Sequence, residues 1–202
     1  MLNMYIAPKS GKSPLPSEDA IEAALQGLKD ALVIGRPITQ SEYAPGHRAG
    51  AIFHADADNH LLPAEKTFDS MTLHIGQRVE FLPRDQDVCE FEGAVCPYCG
   101  DNIPLDALKQ AFEQLGLFPV DRVEYQCNSC RTDLPFREID FGQPTGCARF
   151  WLHFEGVAFG RLSPSFLEFL SQTIGLPLVV IPEFIDDEAA SWAEMRAGDM
   201  LR

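Results

Sequence analysis

Apolar residues recur at intervals of three and four in two segments of the chain, a pattern that predicts two amphipathic helices. The apolar face of the first helix consists of Ile21, Ala24, Leu25, Leu28 and Leu32. The apolar face of the second consists of Phe166, Leu167, Leu170 and Ile174. Ser17 and Ser163 precede these segments as N-caps, and Gly175 ends the second helix.

Alternation of apolar and polar residues predicts strands elsewhere in the chain. Residues 148–155 alternate strictly, which is typical of a strand with one buried face. Residues 71–75 alternate as well, and residues 79–82 follow Gly76-Gln77, so that this stretch predicts a hairpin. Short apolar stretches predict further strands at 4–7, 32–35, 51–55 and 178–181.

The order strand-helix-strand occurs near both ends of the chain and predicts an α+β fold. Two such units can pack as a ferredoxin-like sandwich, with both helices on one face of an antiparallel sheet. Chance similarity of two amphipathic helices is the alternative to a duplication. The predicted organisation is an N-terminal half (1–83), an insertion (84–141), a C-terminal half (142–182) and an acidic tail or helix (183–202).

Two Cys-x-x-Cys pairs lie in the segment 84–141, Cys96 with Cys99 and Cys127 with Cys130. Each pair is set in residues suited to a tight turn, Cys-Pro-Tyr-Cys-Gly in the first and Cys-Asn-Ser-Cys in the second. Four thiolates in two such turns predict a closed, tetrahedral metal site. Two cysteine pairs of this spacing also favour a reducing compartment over a disulfide framework.

The two cysteine turns resemble those of the zinc ribbons, a class in which two hairpins clamp one structural zinc. The resemblance covers about residues 89–141 and implies a zinc ion that stabilises the fold, without specifying any ligand. The chain departs from compact ribbons because 27 residues separate Cys99 from Cys127. The spacing of Leu105, Leu108, Phe112 and Leu115 predicts a helix in that interval.

Other interpretations of the cysteines remain open. A thioredoxin-like dithiol uses a single Cys-x-x-Cys pair, and iron is an alternative to zinc because the same four thiolates bind it. A catalytic zinc is disfavoured, since four sulfur ligands leave no position for water. Cys89 and Cys147 lie outside the pairs and are expected to be buried free thiols.

The charge of the chain bears on its partners. Thirty acidic residues outnumber sixteen basic ones, for a formal charge of −14, and residues 84–140 carry −7. Such a surface repels a phosphate backbone, so direct nucleic-acid binding is disfavoured and a protein partner of complementary, basic charge is favoured. Neither a signal sequence nor an apolar run of membrane-spanning length occurs in this sequence, which predicts a cytoplasmic location without a membrane partner.

Two further sets of polar residues are candidates for chemistry. His54, Asp56, Asp58 and His60 alternate and could bind a divalent ion or act as acids and bases. On an extended strand the ends of that row lie about 20 Å apart, so at most two neighbours share an ion. A solvated polar loop is the competing interpretation. His153 and Glu155 share the polar side of the strand at 148–155.

No familiar catalytic signature occurs in the sequence, and no catalytic residue is assigned. The leading hypothesis is a non-enzymatic, zinc-stabilised acidic protein that binds another protein, as an adaptor, an inhibitor or an immunity-type protein. An enzyme that uses the region of His54, Asp56 and Asp58 or the sheet face of His153 is the alternative. A nucleic-acid-binding zinc ribbon ranks third.

Overall fold

A six-stranded antiparallel sheet dominates this structure, a computed structural model that describes residues 2–9, 15–53, 67–84, 93–115, 117–158 and 162–184. The strands of the sheet are β1 (Leu2–Pro8), β2 (Ile34–Pro37), β3 (Glu42–Pro45), β4 (Ser70–Leu82), β9 (Gly146–Val157) and β10 (Leu178–Phe184). They are arranged in the order β10-β1-β9-β4-β3-β2, and all neighbours are antiparallel. Helices α1 (Glu18–Asp30) and α3 (Pro164–Ile174) pack against the sheet and each other.

The predicted α+β class is confirmed, and four of the six strands have the ferredoxin-like arrangement. Helix α1 follows β1, helix α3 connects β9 to β10, and these four strands are ordered β10-β1-β9-β4. Each strand-helix-strand unit therefore straddles a strand of the other, which is the split β-α-β pattern. The unit that begins with β1 is completed by β4, however, and not by the predicted strand at 32–35.

The main core lies between this sheet and its two helices. The strands contribute alternate residues, among them Met4 and Ile6 from β1 and Phe150, Leu152 and Phe154 from β9. The helices contribute the apolar faces expected from their spacing, Ile21, Ala24 and Leu28 from α1 and Phe166, Leu170 and Ile174 from α3. The hydroxyl of Ser17 accepts a hydrogen bond from the Ala20 N–H at 3.2 Å, so α1 begins at the predicted cap.

Three local predictions differ from the structure in whole or in part. Residues 70–82 form the single strand β4 and not a hairpin, because both parts of the stretch pair with β9 across an irregularity between Ile75 and Glu80. The strand at 32–35 corresponds to β2, which lies at the far edge of the sheet. Ala51 and Ile52 of the strand expected at 51–55 belong to a 3₁₀ turn at Ala49–Ile52, Phe53 forms a β-bridge to Leu162, and residues 54–55 lie outside the described part of the chain.

The second face of the sheet is also covered at its centre, which the sequence pattern did not predict. Trp151 is 1% exposed and belongs to a second apolar cluster with Tyr5, Ala148 and Ile181. Ala148 thus lies on the opposite side from Phe150, because β4 and β9 change register between these two residues. Strand β9 therefore packs on both faces.

Proline occurs in the strands at both edges of the sheet. Pro182 lies in β10, and Pro37 ends β2. Because proline lacks an N–H, it limits the pairing of an edge with a further strand.

The segment between β4 and β9 forms a separate set of elements, referred to below as the cysteine lobe (93–115 and 117–141). It contains two small hairpins, β5 (Ala94–Val95) with β6 (Asn102–Ile103) and β7 (Glu124–Gln126) with β8 (Asp133–Pro135). Helix α2 (Leu105–Leu115) connects the hairpins and has the predicted bounds. Residues 120–122 form a 3₁₀ turn, and the strand that enters the second cysteine turn begins at Glu124.

Four phenyl rings join the cysteine lobe to the sheet. Phe81 of β4 packs with Phe112 of α2, Phe136 and Phe141, and the six centroid distances run from 5.2 to 6.1 Å. Offset and edge-to-face contacts at this distance are favourable beyond the area that they bury. In the described ranges, no helix has the length and apolar character needed to cross a bilayer.

Candidate metal centre

The four paired cysteines meet at the tips of the two hairpins of the cysteine lobe. Cys96 and Cys99 belong to the turn between β5 and β6, and Cys127 and Cys130 to the turn between β7 and β8. Their four sulfur atoms all lie within 4.8 Å of one another. The predicted cluster is therefore confirmed, and it could hold a metal ion.

The distances between the two turns fit a single tetrahedral ion. Cys96 Sγ lies 3.8 Å from Cys130 Sγ, and Cys99 Sγ lies 3.7 Å from Cys127 Sγ. A tetrahedron with metal–sulfur bonds of about 2.3 Å has edges of about 3.8 Å, whereas a disulfide bond is about 2.05 Å long. All four cysteines are free thiols in the structure. The arrangement suits coordination and not covalent pairing.

The two turns share one backbone pattern. The first cysteine of each pair donates its N–H to the carbonyl five residues later, Cys96 to Asp101 at 2.9 Å and Cys127 to Thr132 at 2.9 Å. Its own carbonyl accepts the N–H four residues later, from Gly100 at 2.8 Å in the first turn and from Arg131 at 2.9 Å in the second. The backbone thus holds the two sulfurs of each pair in the same relative arrangement in both turns.

In each turn the first cysteine is buried and the second is exposed. Cys96 and Cys127 are buried in the apolar core of the cysteine lobe, while Cys99 and Cys130 are exposed. An ion held by these sulfurs would be anchored to the core on one side and would face solvent only through sulfur on the other. The site has no described acidic or histidine side chain among its ligand atoms.

The two exposed thiols differ in acidity. Hydrogen bonds from the hydroxyl and the N–H of Thr132 lower the pKa of Cys130 to about 6. The Asp101 N–H likewise lowers the pKa of Cys99, but desolvation and the hydrogen bonds with the other three thiols outweigh it and raise that pKa to about 12. The close approach of four sulfurs therefore opposes full ionisation, and a divalent cation would reverse this by stabilising every thiolate.

Further contacts fix the first turn to the rest of the cysteine lobe. Val95 and Asp140 form an isolated β-bridge, in which the Val95 N–H donates to the Asp140 carbonyl at 2.8 Å. The hydroxyl of Tyr98 donates to Glu138 Oε2 at 3.2 Å. Both contacts bring the segment that follows the second hairpin against the first one.

The two cysteines outside the pairs have different outcomes. Cys147 is a buried free thiol, as predicted, and burial raises its pKa to about 12. A thiol of this kind is a poor nucleophile at neutral pH. Cys89 lies outside the described residues.

Of the other candidates from the sequence, the structure describes only His153 and Glu155, and neither belongs to the cysteine cluster. His54, Asp56, Asp58 and His60 lie outside the described residues, as do residues 185–202 of the predicted tail. His153 and Glu155 lie on β9, where His153 Nδ1 is 3.6 Å from Glu155 Oε1. The His153 ring stacks on Tyr5 at a centroid distance of 4.4 Å.

Sequence reasoning missed two polar features of that sheet face. His74 of β4 stacks on Trp151 at 5.0 Å, and its ring is 6.3 Å from that of His153. The buried carboxylate of Glu183 accepts hydrogen bonds from the Tyr5 hydroxyl at 2.9 Å and the Asn3 amide at 3.0 Å. Only the strand register, which a single sequence does not supply, could have brought these residues together.

Comparison of the chain with known protein families, with curated proteins and with solved structures finds no match.

Proposed function

We propose that this chain is a non-enzymatic protein stabilised by a zinc ion, and that it acts by binding another protein as an adaptor, an inhibitor or an immunity-type protein. The observation that carries the proposal is the closed sulfur set of Cys96, Cys99, Cys127 and Cys130. Four sulfurs would occupy every position of a tetrahedral ion, so no position would remain for a substrate or an activated water.

Zinc is the proposed metal, and its role is structural. The two cysteine pairs are 27 residues apart in sequence, and each hairpin has only two or three residues per strand. Two-stranded hairpins of this length are not stable alone in water, whereas metal binding contributes directly to folding free energy. Iron is the alternative for the same ligands, and visible absorbance of the purified chain separates the two metals.

Binding of a protein is favoured over binding of nucleic acid by charge. The formal charge of −14 opposes a phosphate backbone, and residues 84–140, which include all of the cysteine lobe except Phe141, alone carry −7. Contact with a basic protein surface would be assisted by the same charge, chiefly through the rate of association.

An enzyme that uses the His153 face of the sheet is the second candidate, and the convergence of His74, Trp151 and His153 is the observation in its favour. The burial of that face weighs against it. The side chain of His153 is 13% exposed, and Trp151 is buried, so a substrate has little access to either ring from the described surface.

Two measurements on the untagged chain test the proposal. Elemental analysis is expected to find one zinc per chain, and co-purification from a lysate is expected to recover one stoichiometric protein. Removal of the metal with a chelator is expected to release that protein, since the cysteine lobe loses its structure. Recovery of chaperones alone would contradict the binding role, and an equally stable chain without metal would contradict the structural role of zinc.

A further inference from the structure

The junction between β4 and the cysteine lobe contains an open groove with a volume of about 480 Å³. Phe81 of β4 and Phe112 of α2 line it, and both rings belong to the phenyl cluster that joins the lobe to the sheet. The segment after α2 supplies Leu117 and Phe118. The groove thus combines aromatic and aliphatic side chains, two of them held in the packed phenyl cluster, with polar groups.

Two apolar side chains of this groove are exposed to an unusual degree. Leu117 is 77% exposed and Phe118 is 50% exposed. Their backbone is nevertheless fixed, because both N–H groups donate to the Gln114 carbonyl, at 2.9 and 2.7 Å. Large apolar groups that are exposed on a fixed backbone are suited to binding, since little conformational entropy is lost when they are covered.

The groove differs from the rest of the chain in charge. Arg78 and Arg84 both line it, and Glu80, its one acidic lining residue, pairs with Arg84 at 3.2 Å. No salt bridge to Arg78 occurs within the described part of the chain. A guanidinium group therefore stands beside an apolar surface, on a chain with a formal charge of −14.

We infer that this groove, defined by Phe81, Phe112, Leu117, Phe118, Arg78 and Arg84, docks a segment of a partner protein that combines large apolar side chains with carboxylates. The inference rests on the proposed function of protein binding and assigns the site and the chemistry of the bound segment. Leu117 and Phe118 would pack on the apolar side chains, and Arg78 would pair with a carboxylate. The charge of the whole chain favours a partner whose remaining surface is basic, whereas the segment bound in this groove would carry carboxylates, because a basic segment would meet Arg78.

A second described cavity, between α2 and β7, has the opposite character. Its volume is about 450 Å³, and its lining includes Asp106 and Glu124 but no cationic residue. Because of this contrast, the charge of a bound peptide indicates which of the two cavities it occupies. A carboxylate-bearing segment belongs at the arginine-lined groove, and a basic one at the other cavity.

A random eight-residue peptide library displayed on phage, selected against the intact chain, tests the inference. We expect enrichment of peptides with two large apolar residues and at least one Asp or Glu. For a synthetic peptide of that sequence, Phe118→Ser is expected to weaken binding at least tenfold in fluorescence anisotropy. The matched control is Phe169→Ser, which removes a half-exposed ring of α3 outside the groove and is expected to leave binding unchanged.

A charge exchange tests the role of Arg78. Arg78→Glu is expected to weaken binding of the acidic peptide about tenfold, and replacing the peptide carboxylate with Lys is expected to restore it. Circular dichroism and metal content show whether each variant is folded, and Leu117→Ser replaces Phe118→Ser if the latter is not.

The inference is overturned if no peptide is enriched, if enriched peptides are basic, or if their binding is the same for Phe118→Ser and Phe169→Ser. These outcomes are distinct from failure of the proposed function. A stoichiometric partner that is retained equally by the Phe118→Ser variant would leave the binding role intact and refute this site.

Discussion

Gly100 and Arg131 occupy equivalent positions in the two cysteine turns. Each residue follows the second cysteine of its pair and has a left-handed backbone, with φ of 75° at Gly100 and 61° at Arg131. Each donates its N–H to the carbonyl of the first cysteine, Gly100 to Cys96 and Arg131 to Cys127. The turn requires this conformation, which glycine adopts without cost and arginine does not.

Substitutions at these two positions should therefore change the free energy of unfolding by different amounts. A Cβ at Gly100 meets no atom within 4 Å, so Gly100→Ala is expected to lose about 1 kcal/mol through backbone strain alone. Arg131→Gly relieves that strain but raises the conformational entropy of the unfolded chain. These two effects oppose each other, so the free energy of unfolding should stay within about 0.5 kcal/mol of the parent. Urea denaturation in the presence of zinc measures both. An equal loss in the two variants would contradict the equivalence.

Replacing a buried ligand should remove the metal. Cys96→Ser and Cys127→Ser are each expected to reduce bound zinc well below one per chain and to lower the melting temperature. The matched control is Cys147→Ala, which deletes a buried thiol that is not part of the cluster. It should retain the metal at a cost of about 1 kcal/mol in stability. Equal metal content in the Cys96 variant would show that these sulfurs do not hold the ion.

The contact between α1 and α3 predicts coupling between Gly27 and Phe169. Alanine in a helix is normally more stable than glycine by about 1 kcal/mol. A Cβ at Gly27, however, would lie 2.6 Å from Phe169 Cζ, so the ring must move. Gly27→Ala should be nearly neutral alone and stabilising by about 1 kcal/mol when Phe169 is Ala. A double-mutant cycle measures the difference, and additive effects would argue against the contact.

The buried carboxylate of Glu183 predicts an unequal effect of removing two tyrosine hydroxyls. Tyr5→Phe deletes a buried hydrogen bond to that carboxylate and is expected to cost about 1.5–3 kcal/mol. Tyr98→Phe deletes an exposed hydrogen bond to Glu138 and should cost less than about 0.5 kcal/mol. Chemical denaturation compares them. A similar small cost for both would mean that the Tyr5 bond is not formed.

The pKa of His74 should depend on Arg84. Burial lowers the pKa of His74 below its usual value of 6.5, and the charge of Arg84 lowers it further. As the pH falls, His74 therefore binds a proton in the unfolded chain at a higher pH than in the folded one. Its contribution to the free energy of unfolding is present above about pH 6.5 and is lost as the pH falls below that value. Arg84→Ala should raise the pKa in an NMR titration. The control is Arg36→Ala on β2, and an identical shift there would exclude a specific effect of Arg84.

The cysteine cluster could be predicted because its signal is local. The Cys-x-x-Cys spacing together with its turn residues specifies the geometry of each cysteine turn within six positions. The spacing of apolar residues at 105–115 specifies α2 in the same way. Only the convergence of the two turns requires the tertiary fold, and the chemistry of four thiolates already favoured it.

The sheet was harder to predict because its signals are nonlocal. Gly76-Gln77 between two apolar stretches is typical of a turn, but pairing with β9 on both sides keeps the chain extended through it. The polar alternation at Trp151 and His153 predicted an open face, whereas residues from β1, β4 and β10 pack there. Whether a stretch stays extended and whether a sheet face is covered depend on the partner strands and their register. Neither is determined by the sequence of one segment.

The cysteine lobe leaves and rejoins the sheet at adjacent positions, since Leu82 at the end of β4 pairs with Gly146 at the start of β9. The more than sixty residues between these two positions therefore connect β4 to β9 in the same way as the short turn of a β-hairpin connects its two strands. A short turn in their place would join the same two strands without changing the order of the others. The lobe can therefore differ in length and sequence, or be replaced by another connection, while the order of the strands in the sheet stays the same.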